Sequence, residues 1–440
     1  MIQDRYTVKK AAGHPIEVTV PGSKSITNRA LLIAALCQGK SVLRGVLFSD
    51  DSRHFIQALV ELGFPVEVDE ASATVTITGF GGKVPAVMNG GKVDSGSFDA
   101  AVDVGSAGTA ARFLSAFLGL SEGSFFMTSS EQMKKRPMQE LLDALTQLGA
   151  EITYEEETYH FPFVIGNPKR GSCREITIDI DKSSQFLSAL LISSVLFEED
   201  FVIHVTGSHG MAYVDMTVAM MEQFGVTVER RDERTFCVPG AAGYTAREYQ
   251  IEPDVSAAAY FYAMCPVLQV SAKVHEVHWN GLQGDIAFLH VLEQMGCAAC
   301  EEADGIRMYP PENGRFRGGS FDLSAFSDQA LTLAAISCFA EEPVTIKGIG
   351  HIRYQECDRL QAITENLTSL GITCESTDTS VTVYPGQPRG CGIATFEDHR
   401  VAMAFAIPGL VTENVVIENP MCCGKTFETY FDVLEEKVCN

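Results

Sequence analysis

The chain has 440 residues, 46% of them hydrophobic, enough to bury a large core and more than one ordinary domain requires. Its 33 basic and 57 acidic residues leave a formal charge of −24, which argues against a nucleic-acid or anionic-membrane surface. Thirteen cysteines without disulfide-like spacing, no apparent secretory leader and no apolar run of bilayer length point to a reducing cytoplasm.

In chain order, two kinds of helix alternate. The first kind opens on a polar turn and runs into small apolar residues on nearly every side, which predicts a buried helix. Its first example starts at Gly22-Ser23-Lys24-Ser25 and continues through 30–35. The second kind is amphipathic and stops at a glycine; the context ELGFPVEV places Gly63 as a C′ residue, with Val66 and Val68 starting a strand. The Gly-rich stretch from Gly79 to Gly105 reads as a surface hairpin with a strand. Further polar starts follow at 105–109, 181–185, 253–256, 324–328 and 395–400, and further closing glycines at Gly149, Gly225, Gly296 and Gly371. A last amphipathic segment, 426–436, lacks its glycine. Spacings of roughly 70 to 90 residues are too long for a short solenoid and suit six supersecondary units.

Two domains of three units each follow: residues 21–253 with units one to three, and a discontinuous domain of 1–20 with 254–440 holding units four to six. Cys297 and Cys300 form a CxxC without a second pair, at a repeat position where other units place a strand, so a strand is favoured over a metal or redox site.

Each helix start exposes unpaired amides and a partial positive charge, so several converging on one cleft would hold a small multiply charged anion. Ser, Thr and Asp are also simply good N-caps. In so acidic a chain, Lys24, Arg29, Arg112, Arg359, Arg400 and Lys425 beside element starts are the more telling feature.

The strings PGSKSITNRALL, GSAGTAARF, KKRPMQELLDALTQLGA, SSQFLSALL, ECDRL, EDHRVAMAF and GKTFETYF resemble, in order and spacing, those of the enolpyruvyl transferases. The resemblance covers nearly the whole chain. It implies an α/β fold of two similar domains, each of three βαβαββ units in an inverse α/β barrel-like arrangement, closing on substrates at an interdomain cleft. The implied reaction moves the carboxyvinyl group of phosphoenolpyruvate to the 5-hydroxyl of shikimate 3-phosphate, with phosphate leaving, in aromatic amino-acid synthesis. No metal or organic cofactor is implied. The expected partners are these two small molecules alone, with no nucleic acid or membrane, and the expected form is a cytoplasmic monomer.

By the same resemblance, Asp328 is the base on the acceptor hydroxyl, and Lys24 and Glu356 handle the proton at the donor methylene. Lys24, Gly108, Gln132, Gln185, Arg359, Arg400 and Lys425 fall at donor positions, Gly108 where a side chain would obstruct phosphoenolpyruvate. Lys24, Ser25, Arg29, Ser183, Ser184, Gln185, Tyr213, Asp328, His351 and Gln355 fall at acceptor positions; Tyr213 reads equally as a packing residue. Arg112 and His399 are either site residues or supports.

Four departures stand out. Gln132 takes the place of an arginine expected on the donor carboxylate, Gln355 of a lysine, Gly210 of a serine and His351 of a frequent asparagine. Lys182 is either a replacement cation for the acceptor phosphate or a solvated lysine, and Phe113, where proline is common, packs behind the site. The weakened acceptor side leaves two alternatives: a transferase with another acceptor, or an inactive anion-binding homologue.

Overall fold

The computed structural model describes residues 4–90, 92–93, 98–167 and 173–440. The chain divides into two compact units, Lys24–Ile251 and Met1–Ser23 with Glu252–Asn440. The two passages between them lie side by side: Ser23 N donates to Glu252 O at 2.8 Å and Asp254 N to Pro21 O at 2.8 Å.

Unit Lys24–Ile251 contains three four-stranded sheets of one pattern. In the second, Ala100–Asp103 lies parallel to Phe125–Thr128, which is antiparallel to Phe163–Gly166, itself antiparallel to Glu151–Tyr154. A parallel pair needs a crossover, and the helix Gly108–Leu120 supplies it. The third sheet repeats this with Glu175–Asp179, Phe201–Thr206, Thr235–Val238 and Glu229–Asp232. In the first, Gln38–Arg44 takes its parallel neighbour from Glu248–Gln250, so the opening strand of unit one comes from beyond unit three.

The other unit holds two four-stranded sheets of this order and one of three strands. Ile16–Val18 begins the fourth sheet by pairing parallel to Ala272–His275. In the last sheet Gly392–Ile393 is parallel to Val416–Glu418, and Arg5–Thr7 closes it antiparallel. The sixth unit therefore departs from the expected βαβαββ pattern. Its hairpin is replaced by the N-terminal strand, and the chain after Val416–Glu418 forms the 3₁₀ segment Pro420–Lys425, the short helix Tyr430–Leu434 and a turn of π-helix at Glu435–Cys439.

All six polar starts open helices: Lys24–Leu36, Gly108–Leu120, Gln185–Ser193, Val255–Leu268, Ala330–Ser337 and His399–Ala406. Nearly every residue in them is buried, because small side chains let neighbouring helices and sheets approach from all directions. The five closing glycines have φ between +78° and +112°, the left-handed region where a Cβ is penalised.

Of the expected 79–105 hairpin, an isolated antiparallel bridge Val93–Phe98 is seen, followed by the strand Ala100–Asp103; residues 91 and 94–97 lie outside the described residues. Cys300 lies in the strand Ala298–Glu302, with Cys297 buried just before it. No helix among the described residues is long and apolar enough to cross a membrane, and no group of side chains there could hold a metal ion.

Candidate active site

Each unit carries a cluster of the expected residues. In unit 252–440 it is built on Arg359, first residue of the helix Arg359–Ser369 and 1% exposed. Its guanidinium serves three carboxylates: Nη1 to Asp328 Oδ1 at 3.0 Å, Nη2 to Glu356 Oε2 at 2.8 Å and Nε to Asp398 Oδ2 at 2.7 Å. Arg400 Nη2 reaches Asp328 Oδ2 at 2.8 Å, and Lys425 Nζ stands 4.0 Å from Glu356 Oε1. Three cations thus meet three carboxylates.

Local structure sets each of these. Asp328 lies in the 3₁₀ turn Ser327–Gln329 that feeds a buried helix. Asp398 caps the helix His399–Ala406 through Arg400 N at 2.9 Å while its other oxygen holds Arg359. Phe396 and Glu397, just before it, both have left-handed φ, +54° and +57°. Gln355 donates Nε2 to Asp328 Oδ1 at 3.4 Å and accepts from Arg359 Nη1, so it bridges the two side chains. His351 Nε2 lies 2.6 Å from Ser327 Oγ, next to Asp328. His399 is fully buried.

Burial works against the charge on Arg359, but Asp398, Glu356 and Asp328 overcome it and raise its pKa above the ordinary arginine value. Asp285, which accepts from Ser256 Oγ and Gln329 Nε2 at 3.0 Å, has its carboxyl pushed up first by burial and then by the charge of Asp328.

In unit 24–251, Lys24 opens the helix Lys24–Leu36 with Nζ 3.6 Å from Asp51 Oδ2. Arg29, 2% exposed, donates Nε to Thr217 Oγ1 at 2.8 Å, Nη1 to Ser25 O at 2.9 Å and Nη2 to Tyr213 O at 3.1 Å and Ser188 Oγ at 3.4 Å. All four acceptors are neutral, and burial pushes its pKa down to about 10. Its guanidinium carbon lies 5.5 Å from the centre of the Phe113 ring.

Arg112 donates Nη1 to Gln185 Oε1 at 2.6 Å, and Gln185 Nε2 donates to Thr109 Oγ1 at 3.2 Å. Arg112 and Thr109 thus contact opposite ends of the Gln185 amide. Ser183 Oγ accepts from Gln185 N at 3.3 Å. Gly210 has φ +66°, and a Cβ there would come within 2.6 Å of Ser184 Oγ, which accounts for glycine where serine was expected. Lys182 pairs with Glu140 Oε1 at 2.7 Å.

The KKRP run places a cation that the sequence reading did not single out. A Cβ on Gly108 would meet the Arg136 guanidinium, with Nη1 at 2.4 Å and Cζ at 2.6 Å. Arg136, buried, is thus a cation lying against Gly108, four residues after Gln132. Gln132 itself is half-buried in the turn Glu131–Lys134. Sequence reasoning also missed Asp51, the partner of Lys24, which reads as an ordinary acid in the first turn of the helix Asp50–Glu61.

The fold is that of the enolpyruvyl transferases: the structure matches NikO of Streptomyces tendae, titled an enolpyruvyl transferase, with a TM-score of 0.74 at 16% identity over 98% of this chain and 96% of that one. It matches an EPSP synthase of Acinetobacter baumannii with a TM-score of 0.81 at 22% identity over 99% and 98%. The model of the family described as EPSP synthase (3-phosphoshikimate 1-carboxyvinyltransferase) matches residues 10–434. Relatives named 3-phosphoshikimate 1-carboxyvinyltransferase are 39% identical in Nostoc sp. and 38% identical in Photobacterium profundum, each over 96% of both chains. The chain belongs to the EPSP synthase family.

Proposed function

We propose that this chain transfers the carboxyvinyl group of phosphoenolpyruvate to the 5-hydroxyl of shikimate 3-phosphate, releasing phosphate. The observation that carries the reading is Arg359, which holds both candidate proton carriers, Asp328 and Glu356, at 3.0 and 2.8 Å in a nearly dry setting. Asp328 takes the proton from the acceptor hydroxyl as that oxygen attacks C2 of the donor, while Lys24 and Glu356 deliver a proton to C3. The tetrahedral intermediate then loses phosphate from C2 and a proton from C3, restoring the double bond. Arg359, Arg400, Lys425 and Arg136 bind the donor's carboxylate and phosphate; arginine suits the carboxylate with a two-point contact, and lysine acts as a compact charge. Gly108 leaves the space that Arg136 and the donor share.

Acceptor contacts come from Ser25, Arg29, Ser183, Ser184, Gln185 and Tyr213, with His351 and Gln355 beside Asp328. The reading includes a cytoplasmic monomer, and the net charge of −24 argues against nucleic acid or an anionic membrane as a partner. The test is phosphate release from phosphoenolpyruvate with shikimate 3-phosphate, unphosphorylated shikimate or UDP-sugars as acceptor. Release with shikimate 3-phosphate alone is expected; a response to another acceptor, or to none, overturns the reading.

A further inference from the structure

The helix Gly108–Leu120 supports the site at three successive places. Gly108 makes room for Arg136, Arg112 aligns Gln185, and Phe113, fully buried, presents its ring to Arg29. The third contact has no role in the reaction described above. Arg29 is a buried cation whose hydrogen-bond partners are all neutral oxygens, an arrangement that is costly unless something favours the charge. A carboxylate would do so but would compete with an incoming anion for the same guanidinium. An aromatic face stabilises a cation through its quadrupole and leaves the net charge intact.

We propose that Phe113 is a positioning residue for the phosphorylated acceptor: its ring holds the Arg29 guanidinium in place without neutralising it. Through Arg29 it also fixes the backbone oxygens of Ser25 and Tyr213, at the starts of the helices Lys24–Leu36 and Met211–Gln223. The inference rests on the acceptor assignment of Arg29 proposed above. It differs from a packing role because the chemistry of the ring matters, and not only its volume.

The test compares Phe113→Leu and Phe113→Met, which keep apolar bulk, with Phe113→Tyr, which keeps the ring; Met covers the case in which Leu does not fold. Shikimate 3-phosphate binding is read by calorimetry, and kcat and the two KM values by phosphate release. The Leu or Met variant should raise the acceptor Kd and KM about tenfold, from a desolvated cation–π contact. Its donor KM and kcat should stay within about twofold, and Tyr should restore wild-type values. In an Arg29→Lys background, Phe113→Leu should add little, because both changes remove one coupled interaction. Unchanged acceptor binding in the Leu and Met variants, an equal rise in the donor KM, or a full effect surviving in the Arg29→Lys background would each overturn the inference. Wild-type activity with shikimate 3-phosphate, measured in the same assay, keeps that failure distinct from failure of the proposed reaction.

Discussion

In unit 252–440, Arg359 and Arg400 are matched by Asp328, Glu356 and Asp398, whereas Arg29 in unit 24–251 is surrounded by neutral oxygens and a ring. The two clusters suit different work. In the proposed reaction, a donor anion settling among Arg359, Arg400 and Lys425 would compete with Asp328 and Glu356 for their cations. Carboxylates that lose cationic neighbours gain proton affinity, which is what a base and an acid require. Around Arg29 no carboxylate has to be displaced, so its guanidinium is fitted for binding, while in the proposed reaction the proton carrier of that unit is Lys24.

The sharpest way to break this comparison is Asp328→Asn. The amide keeps the shape but cannot take the acceptor proton, so kcat should fall by about 10²–10⁴. Because the change also removes a competitor from two arginines, the donor KM should not rise. A large rise in donor KM with kcat preserved, measured by phosphate release, would show that Asp328 helps to bind the donor and does not act as a base.

Next in size is Gly108→Ala. The added methyl must displace the Arg136 guanidinium, which it would otherwise meet at 2.4 Å. Losing a charge-assisted contact of about 1.5–3 kcal/mol should raise the donor KM at least tenfold, leaving calorimetric affinity for shikimate 3-phosphate unchanged. An equal loss of acceptor affinity would mean that the two sets of contacts are not separable.

Much of this arrangement is written in local sequence. The six buried helices are legible because a polar turn followed by Ala, Ser, Gly and Leu on all sides has few other solutions, and the closing glycines because a C′ residue needs positive φ. The sixth unit misled because Arg5–Thr7 reaches Val416–Glu418, a pairing between residues some 410 apart that no local pattern announces. Within the site, Lys134, Lys135 and Arg136 are three adjacent cations, and only tertiary packing selects Arg136 to turn inward. Asp51 and Glu140 look like ordinary first-turn acids until the fold brings them to Lys24 and Lys182. Side chains whose role is fixed by a partner far away in sequence are the ones that escape a linear reading.

Asp285 sharpens the comparison through pH. Its folded-state pKa lies above the ordinary 3.8, so between 3.8 and the raised value the folded chain binds more protons than the unfolded one. Asp285's contribution to stability is fully present below pH 3.8 and is lost as pH rises through the folded value. Asp285→Asn removes this titration, so its Tm relative to wild type should climb across that interval and stay flat below it. No pH dependence in the difference would mean that Asp285 is not held neutral beside Asp328.

The smallest effect concerns the turn before Asp398. Glu397 at φ +57° carries a side chain where glycine is at ease. Glu397→Gly should raise stability by about 1 kcal/mol, read by denaturant titration, with kcat unchanged. Reduced kcat would show that the strain helps hold Asp398 on Arg359.

The threading of the first twenty residues has a consequence for biosynthesis. All three sheets of unit 24–251 draw their strands from Gln38 to Gln250, so that unit can complete itself as soon as its last strand clears the ribosome. Ile16–Val18 must wait for Ala272–His275, and Arg5–Thr7 for Val416–Glu418, some 410 residues later. At about 5–20 residues per second each of these two strands stays unpaired for tens of seconds, Arg5–Thr7 longer than Ile16–Val18, and that interval is when a chaperone can engage them.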